Sequence, residues 1–403
     1  MVKNKVIQSE KLLLLVLYSV NIFCYLPVKY SNYLPFINIK GDLMKAAVCY
    51  EFGKPLVVED VELEPPGEGE VKVRLGATAV CHSDIHCIRG ELPGVLPGVP
   101  GHESAGYVEE VGANVTSVKS GDPVIISTST VGCGQCYHCN IGLRHLCERR
   151  PPMKPHHRNK DGVAMLPMAG PVGGFAEYTV VSETQLAVIP EDFPMDKAAL
   201  ISCGVLTGFG AVVNRAQVKG LNSVVVMGTG GVGLNAIQAA ALMGAYPVIA
   251  VDILDSKLEF ARTFGATHTV NSAKEKDPIA LVNQMTYGRG ADYVFVAVGS
   301  ADALRQGFFM SGPRGMTVII GLVPMKESIC FSTFDFLGGE RVLTGCGGGS
   351  PRLNIDVSRI IELYHEGRLK LDELITNHYP FEQINEAIES AEKGEAIRNV
   401  IMF

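Results

Sequence analysis

The stretch Val224-Val225-Val226-Met227-Gly228-Thr229-Gly230-Gly231-Val232-Gly233 decides the fold. Four apolar residues read as a short buried strand, a G-x-G-x-x-G turn follows at Gly228, Gly230 and Gly233, and helical spacing then begins with Ile237, Ala240, Ala241 and Gly244. In such a turn one glycine permits the tight bend, one lets backbone approach a pyrophosphate, and one lets the helix pack on the strand. The helix N-terminus adds free N–H groups and a partial positive charge. A glycine-rich turn alone is common in α/β domains, so its surroundings carry the reading. A second apolar strand, Pro247 to Val251, ends in Asp252, 19 residues after Gly233. That spacing places a carboxylate where an adenosine ribose donates hydrogen bonds. Strand, turn, helix and acid together predict a dinucleotide site built on Gly228, Gly230, Gly231, Val232, Gly233 and Asp252. A negative charge where a 2′-phosphate would sit selects NAD over NADP, and no basic residue follows before Lys257.

Around this unit, from about Val205 to Gly349, strand and helix patterns alternate: Asp292 to Val298, helical Ala301 to Phe309, then Thr317 to Ile320. That rhythm predicts a parallel sheet covered by helices on both faces. Gly299 and Gly321 follow strand ends, where ligands lie in such sheets and where plain turn glycines also occur. Two further helices are expected over Ile355 to His365 and Ile384 to Glu392. Upstream, Met44 to Tyr50 and Glu70 to Ala77 read as strands separated by Pro65-Pro66-Gly67, and short apolar runs with Gly and Pro continue to about Pro190. A β-rich domain therefore precedes the dinucleotide unit. The expected division is 1–43 leader, 44–204 β-rich domain, 205–349 dinucleotide domain and 350–403 a closing segment.

A chain of 403 residues, 47% hydrophobic and 19% charged, has material for two cores. Its net charge of −7 argues against a nucleic-acid-binding module. Residues 1–43 differ in character from the rest of the chain: Lys3, Lys5 and Lys11 precede an apolar run from Leu12 to Val28. The run reads either as a signal or membrane anchor, or as an extension ahead of a natural start at Met44. A cytoplasmic location suits a chain rich in clustered, reduced thiols, with membrane association through residues 12–28 left open.

The 11 cysteines are odd in number and clustered, which points to metal sites in a reducing compartment instead of disulfides. Cys133, Cys136, Cys139 and Cys147 are four thiolates within 15 residues, enough to close a tetrahedral Zn²⁺ shell with no position for chemistry. His138 and His145 in the same lobe are expected to be solvated. A second group is dispersed: Cys81 in Val80-Cys81-His82-Ser83-Asp84, His102 in Gly101-His102-Glu103, and Cys203 in Ser202-Cys203-Gly204. Two thiolates and one imidazole would leave a fourth position for water or substrate, although spacing alone does not assemble them. Cys24, Cys49, Cys87, Cys330 and Cys346 read as packing or incidental thiols.

From about Met44 to Phe403 the sequence resembles the zinc-dependent medium-chain alcohol dehydrogenase family, through Gly101-His102-Glu103, Cys81-His82-Ser83-Asp84, the four-cysteine lobe and the glycine turn. The resemblance implies a GroES-like β domain, a Rossmann domain and a last segment returning to the β domain. It implies two zinc ions per chain, one catalytic on Cys81, His102 and Cys203 and one structural on Cys133, Cys136, Cys139 and Cys147, with Glu103 able to approach the first. It further implies that Ser83 takes the alcohol's proton and that His86 ends a relay through the cofactor ribose. By the same resemblance Asp84 orients His102, His82 and Arg398 touch the pyrophosphate, Asp252 and Lys257 the adenosine ribose, and Thr207 the nicotinamide. The activity implied is hydride transfer between an alcohol and NAD in a homodimer or homotetramer, with thiol-adduct formaldehyde or polyol oxidation as alternatives. A zinc-ribbon binding module is the competing class, and the acidic charge and the open second site argue against it. The segment Glu148 to Gly174 has no counterpart in the family pattern; its Arg149, Arg150, Lys154 and Arg158 either hold an anionic substrate tail or lie in solvent.

Overall fold

A computed structural model describes residues 41–324 and 326–403. The leader's apolar run and Cys24 lie outside the described residues.

The strand Val224–Met227 sits in the middle of a six-stranded sheet whose order is His268–Asn271, Val248–Asp252, Val224–Met227, Ala291–Val296, Ser311–Ile319, Val342–Gly345. Every neighbouring pair is parallel. Val224 and Val226 enter one hydrophobic core and Val225 and Met227 another, so the strand is buried on both faces. A run of four apolar residues without alternation is what such a strand requires. Helices Gly231–Leu242, Asp255–Thr263, Pro278–Met285 and Ala301–Met310 connect the strands. The first of these stops at Leu242; Gly244, expected within the helical pattern, takes φ +76° and ends it. The predicted strand at Thr317 to Ile320 starts earlier, at Ser311, carrying Gly312, Pro313 and Gly315 within it.

The β-rich lobe holds two sheets. One runs Asp42–Val48, Val57–Leu63, His157–Arg158, Ala164–Pro167, Gly98–Val99. Four of these strands escape the sequence patterns, the two-residue Gly98–Val99 among them. Val57–Leu63 carries Glu59, Asp60 and Glu62 between its apolar residues, and only Val61 and Leu63 are buried. His157–Arg158 and Ala164–Pro167 fall in the Glu148 to Gly174 segment, which extends the sheet. The other sheet is centred on Glu70–Ala79, flanked by antiparallel Glu103–Val111 on one side and by Tyr178–Ser182 and Arg398–Met402 on the other. The chain's last strand thus returns to the β lobe.

One helical run, Met195–Ala216, joins the lobes, and the expected break at Gly204/Val205 falls inside it. It is long and apolar enough to cross a membrane, but 78% of its apolar window is buried inside the protein, which makes it a core helix. Its Ile201–Val205 and Ala211–Ala216 segments are π-helical. Such a widened turn re-aims side chains and often accompanies functional sites; here it carries Cys203.

Candidate functional site

Strand register assembles the second cysteine–histidine group. Ala79 pairs with Glu103 across one edge of its strand and with Val400 across the other. Cys81, two residues on, therefore emerges between His102 and Arg398, and the π-turn brings Cys203 in from the joining helix. A ligand atom from each of Cys81, His102, Glu103 and Cys203 lies within 4.8 Å of all the others. The neighbouring Cys203 holds the Cys81 thiol well below its ordinary range, while the Cys203 thiol itself rises well above. Asp84 is fully buried and collects three donors: His102 Nδ1 at 2.7 Å, Gly101 N at 3.1 Å and Cys81 N at 3.2 Å. This fixes the imidazole and leaves Nε2 for the cluster, the arrangement that orients metal-ligating histidines.

Glu103 is the cluster's least satisfied member. Both carboxylate oxygens are buried without a hydrogen bond among the described residues, and burial pushes the group up to about 8 despite the opposing pull of Arg398. Arg398 Nε lies 3.3 Å from Glu103 Oε2 as an ion pair outside hydrogen-bond alignment. A buried carboxylate with idle lone pairs beside two sulfurs and an imidazole fits a divalent cation.

The four-cysteine lobe meets the same test. Its sulfurs fall within 4.8 Å of one another, and Cys136 Sγ and Cys147 Sγ are 3.9 Å apart, close to the ~3.8 Å edge of a tetrahedron with Zn–S bonds of about 2.3 Å. Backbone N–H groups point at sulfur from Cys133 to Cys147 and from Cys136 to Cys133, both at 3.3 Å. Such donors, from Cys139 and Glu148, hold the Cys136 thiol down to about 6, while burial and its neighbours push Cys139 up to about 12. His138 pairs with Glu148, and His145 stands outside the group.

Each glycine of the turn has its own reason. Gly228 takes φ +86°, and a Cβ there would meet Val298 Cγ1 at 2.2 Å. A Cβ on Gly233 would lie 1.8 Å from Gly228 O, so helix and turn touch through backbone. Gly231 faces the Arg398 guanidinium, with Cζ 2.4 Å from a built Cβ. Gly230, the helix N-cap, has nothing within 4 Å of its built Cβ; the open space lies where a pyrophosphate would approach. Val232 follows in the first helical turn. Gly299 and Gly321 are needed by mutual approach: a Cβ on Gly299 would meet Leu322 O at 2.3 Å, and one on Gly321 would meet Val298 O at 2.4 Å.

Asp252 ends its strand beside the turn with both oxygens occupied. Oδ2 accepts from Thr229 N at 2.8 Å and Thr229 Oγ1 at 2.9 Å, and Oδ1 from Ile253 N at 2.8 Å and Leu254 N at 3.1 Å. The part of Thr229 escapes the motif reading; its only sequence signal is a hydroxyl residue inside the turn. Lys257 lies half-buried on the next helix. Ser83 and His86 share the short helix His82–Ile88, one turn apart. Ser83 Oγ is 3.9 Å from Cys81 Sγ, His86 pairs with Glu91, and His82 is exposed. Thr207 is buried one turn beyond Cys203, under the Gly349 loop. Three basic residues of the Glu148 to Gly174 segment have partners: Lys154 with Glu70 at 2.7 Å, Arg158 with Glu64 at 2.6 Å, Arg150 with His145 O at 2.8 Å.

Two family models match: the alcohol dehydrogenase GroES-like domain at residues 67–191 and the zinc-binding dehydrogenase at 231–366. The chain is 38% identical over 376 residues to an alcohol dehydrogenase class-3 of Cereibacter sphaeroides, covering 89% of this chain and 99% of the relative. It is 37% identical over 374 residues to an S-(hydroxymethyl)glutathione dehydrogenase of Paracoccus denitrificans, with the same coverage. The solved benzyl alcohol dehydrogenase of Acinetobacter calcoaceticus superposes with a TM-score of 0.83 at 31% identity, over 90% of this chain and 99% of that one. Fold, donor clusters and relatives agree, and the chain belongs to the zinc-dependent medium-chain alcohol dehydrogenase family.

Proposed function

We propose that this protein exchanges hydride between an uncharged alcohol, or the matching aldehyde or ketone, and NAD at the Cys81–His102–Cys203 cluster. The donor set carries the reading: two sulfurs and one oriented imidazole would hold a zinc ion with a position for substrate oxygen, and the Glu103 carboxyl lies beside them. Bound there, zinc would acidify an alcohol hydroxyl and polarise a carbonyl. Ser83 Oγ is the acceptor for the alcohol's proton, and the His86 imidazole, steadied by Glu91, hands it towards solvent. Thr207 packs on the nicotinamide end, and Val232 belongs to the turn that receives the cofactor. Gly228, Gly230, Gly231 and Gly233, with His82 and Arg398, receive the pyrophosphate. Asp252 and Lys257 receive the adenosine ribose, and the carboxylate excludes a 2′-phosphate. The second zinc belongs to Cys133, Cys136, Cys139 and Cys147 and has a structural role. Residues 44–204 with 350–403 act as the catalytic domain and 205–349 as the cofactor domain of a cytoplasmic homodimer or homotetramer.

The pairing of Lys154, Arg158 and Arg150 within the protein favours a simple alcohol over a charged thiol adduct. A panel of primary alcohols, polyols, and formaldehyde with glutathione, each with NAD and NADP on metal-analysed protein, tests this. NAD-linked alcohol turnover abolished by a chelator and restored by zinc is expected. Zinc-replete protein that turns over none of them refutes it.

A further inference from the structure

We propose that the Thr229 hydroxyl positions Asp252, and through it sets the discrimination between a ribose diol and a ribose carrying a 2′-phosphate. The inference deepens the proposed dinucleotide site and rests on it.

The parallel register of Val224–Met227 with Val248–Asp252 brings the residues following one strand against the end of the other. Gly228 N donates to Val251 O at 2.8 Å, which sets Thr229 directly beside Asp252. Four donors then meet the carboxylate, two on each oxygen. Three of them are backbone N–H groups, fixed by the strand ends and indifferent to side-chain identity. The fourth, Thr229 Oγ1, is the only one the sequence can change without moving the backbone. Thr229 is 1% exposed, so its hydroxyl has no water to turn to and is committed to Asp252.

An aspartate carboxyl turns about its last side-chain bond in a broad, shallow well, so hydrogen bonds and not rotamer preference decide its plane. With donors on both oxygens, the plane is fixed against the turn. A vicinal diol must share the carboxylate's roughly four lone-pair positions with these donors, but it meets a carboxylate whose orientation is set beforehand, and the ordering cost is then already met before binding. A 2′-phosphate meets the same fixed negative charge and cannot push it aside. Without the hydroxyl, Oδ2 keeps a single backbone donor and the plane is freer to turn. The diol loses its prepared partner, and the phosphate gains a carboxylate able to turn away. The two ligands therefore respond in opposite directions, which a change in local stability alone would not produce.

Thr229→Val keeps the side chain's shape and removes the hydroxyl; Thr229→Ser keeps the hydroxyl. The readout is equilibrium binding of NADH and NADPH to the zinc-replete enzyme by nucleotide fluorescence, which a chain without tryptophan leaves free of indole emission. For Thr229→Val, NADH binding weakens about tenfold, as expected from a lost contact worth ~1.4 kcal/mol, while NADPH binding stays level or tightens. The NADH/NADPH preference then falls about tenfold or more, and Thr229→Ser restores it. With saturating alcohol the loss appears in the KM for NAD with kcat retained. A preference unchanged in Thr229→Val, or both nucleotides weakened equally in Thr229→Val and Thr229→Ser, overturns the inference and leaves the cofactor site standing. Wild-type protein that binds neither nucleotide overturns the dinucleotide reading and this inference with it.

Discussion

Gly230 and Gly233 separate nucleotide affinity from stability. Gly230 has φ −76° and ψ −173°, extended backbone open to any residue, with nothing within 4 Å of a built Cβ. Gly230→Ala therefore changes folding stability by no more than about 0.5 kcal/mol. The added methyl nevertheless stands where a pyrophosphate must approach the helix N-terminus. Losing one or two charge-assisted hydrogen bonds of about 1.5–3 kcal/mol each weakens NADH binding by at least about tenfold. Gly233→Ala differs in kind. Its Cβ would lie 1.8 Å from Gly228 O, so turn and helix must part by about 1.2 Å to reach the 3.0 Å that side-chain carbons keep. Overpacking of that sort costs about 1–3 kcal/mol, and the melting temperature falls with it. Titration of NADH fluorescence beside thermal unfolding gives both quantities. Gly230→Ala should keep the melting temperature and lose affinity; Gly233→Ala should lose both. A Gly230→Ala protein that binds NADH like wild type refutes the placement of a pyrophosphate at this turn.

Cys81→Ala and His102→Ala should each abolish turnover and release one zinc per chain while NADH titration stays near wild type; metal analysis that still finds two ions would remove the assignment. Cys136→Ala should also release one zinc but act chiefly through stability, seen as a lower melting temperature and poor soluble yield. His157 is 1% exposed, and burial pushes its imidazole down to about 4. It stays neutral in the folded chain while the unfolded chain gains a proton, so its contribution is complete above about pH 6.5 and is lost as the pH falls towards 4. The loss approaches ~3 kcal/mol. His157→Phe should flatten that acid limb of a melting-temperature profile, and an unchanged limb would contradict it.

What the sequence makes legible is chemistry written in residue type at short range. Cys133, Cys136, Cys139 and Cys147 lie within 15 residues, and their spacing marks a group that could close a metal shell before any fold is known. The strand, turn and acid around Gly228 to Asp252 do the same for a dinucleotide. Contacts that depend on register stay hidden. Arg398 meets Glu103 only because Val400 and Glu103 flank the same Ala79, and Cys203 joins Cys81 only through a π-turn in a helix that the domain boundary was expected to cut. The strands missed are those whose composition conceals them. Val57–Leu63 interleaves three acids with its apolar residues, and His157–Arg158 is two residues long. Arg158 and Lys154, read as solvent-facing or substrate-facing charges, pair with Glu64 and Glu70 of the β lobe, Lys154 while still exposed. Charge shows in sequence; its partner does not.

Arg398 is the point where the two halves of the site meet. Its guanidinium fills the space that side chains at Gly204 and Gly231 would need: a Cβ on Gly204 would lie 2.8 Å from Nη2, and one on Gly231 only 2.4 Å from Cζ. Gly204 adjoins the sulfur of Cys203, and Gly231 opens the nucleotide helix. On its remaining side Arg398 pairs with Glu103, whose oxygens have no hydrogen-bond partner among the described residues. The guanidinium cannot shift towards the turn without withdrawing from Glu103, and cannot shift towards Glu103 without opening the turn. Burial works against the charge of the Arg398 guanidinium, and its neighbours Glu103 and Cys81 work for it. The glycines at positions 204 and 231, distant in sequence and each ordinary alone, are therefore one requirement: both leave room for a single arginine that ties the nucleotide turn to the metal cluster.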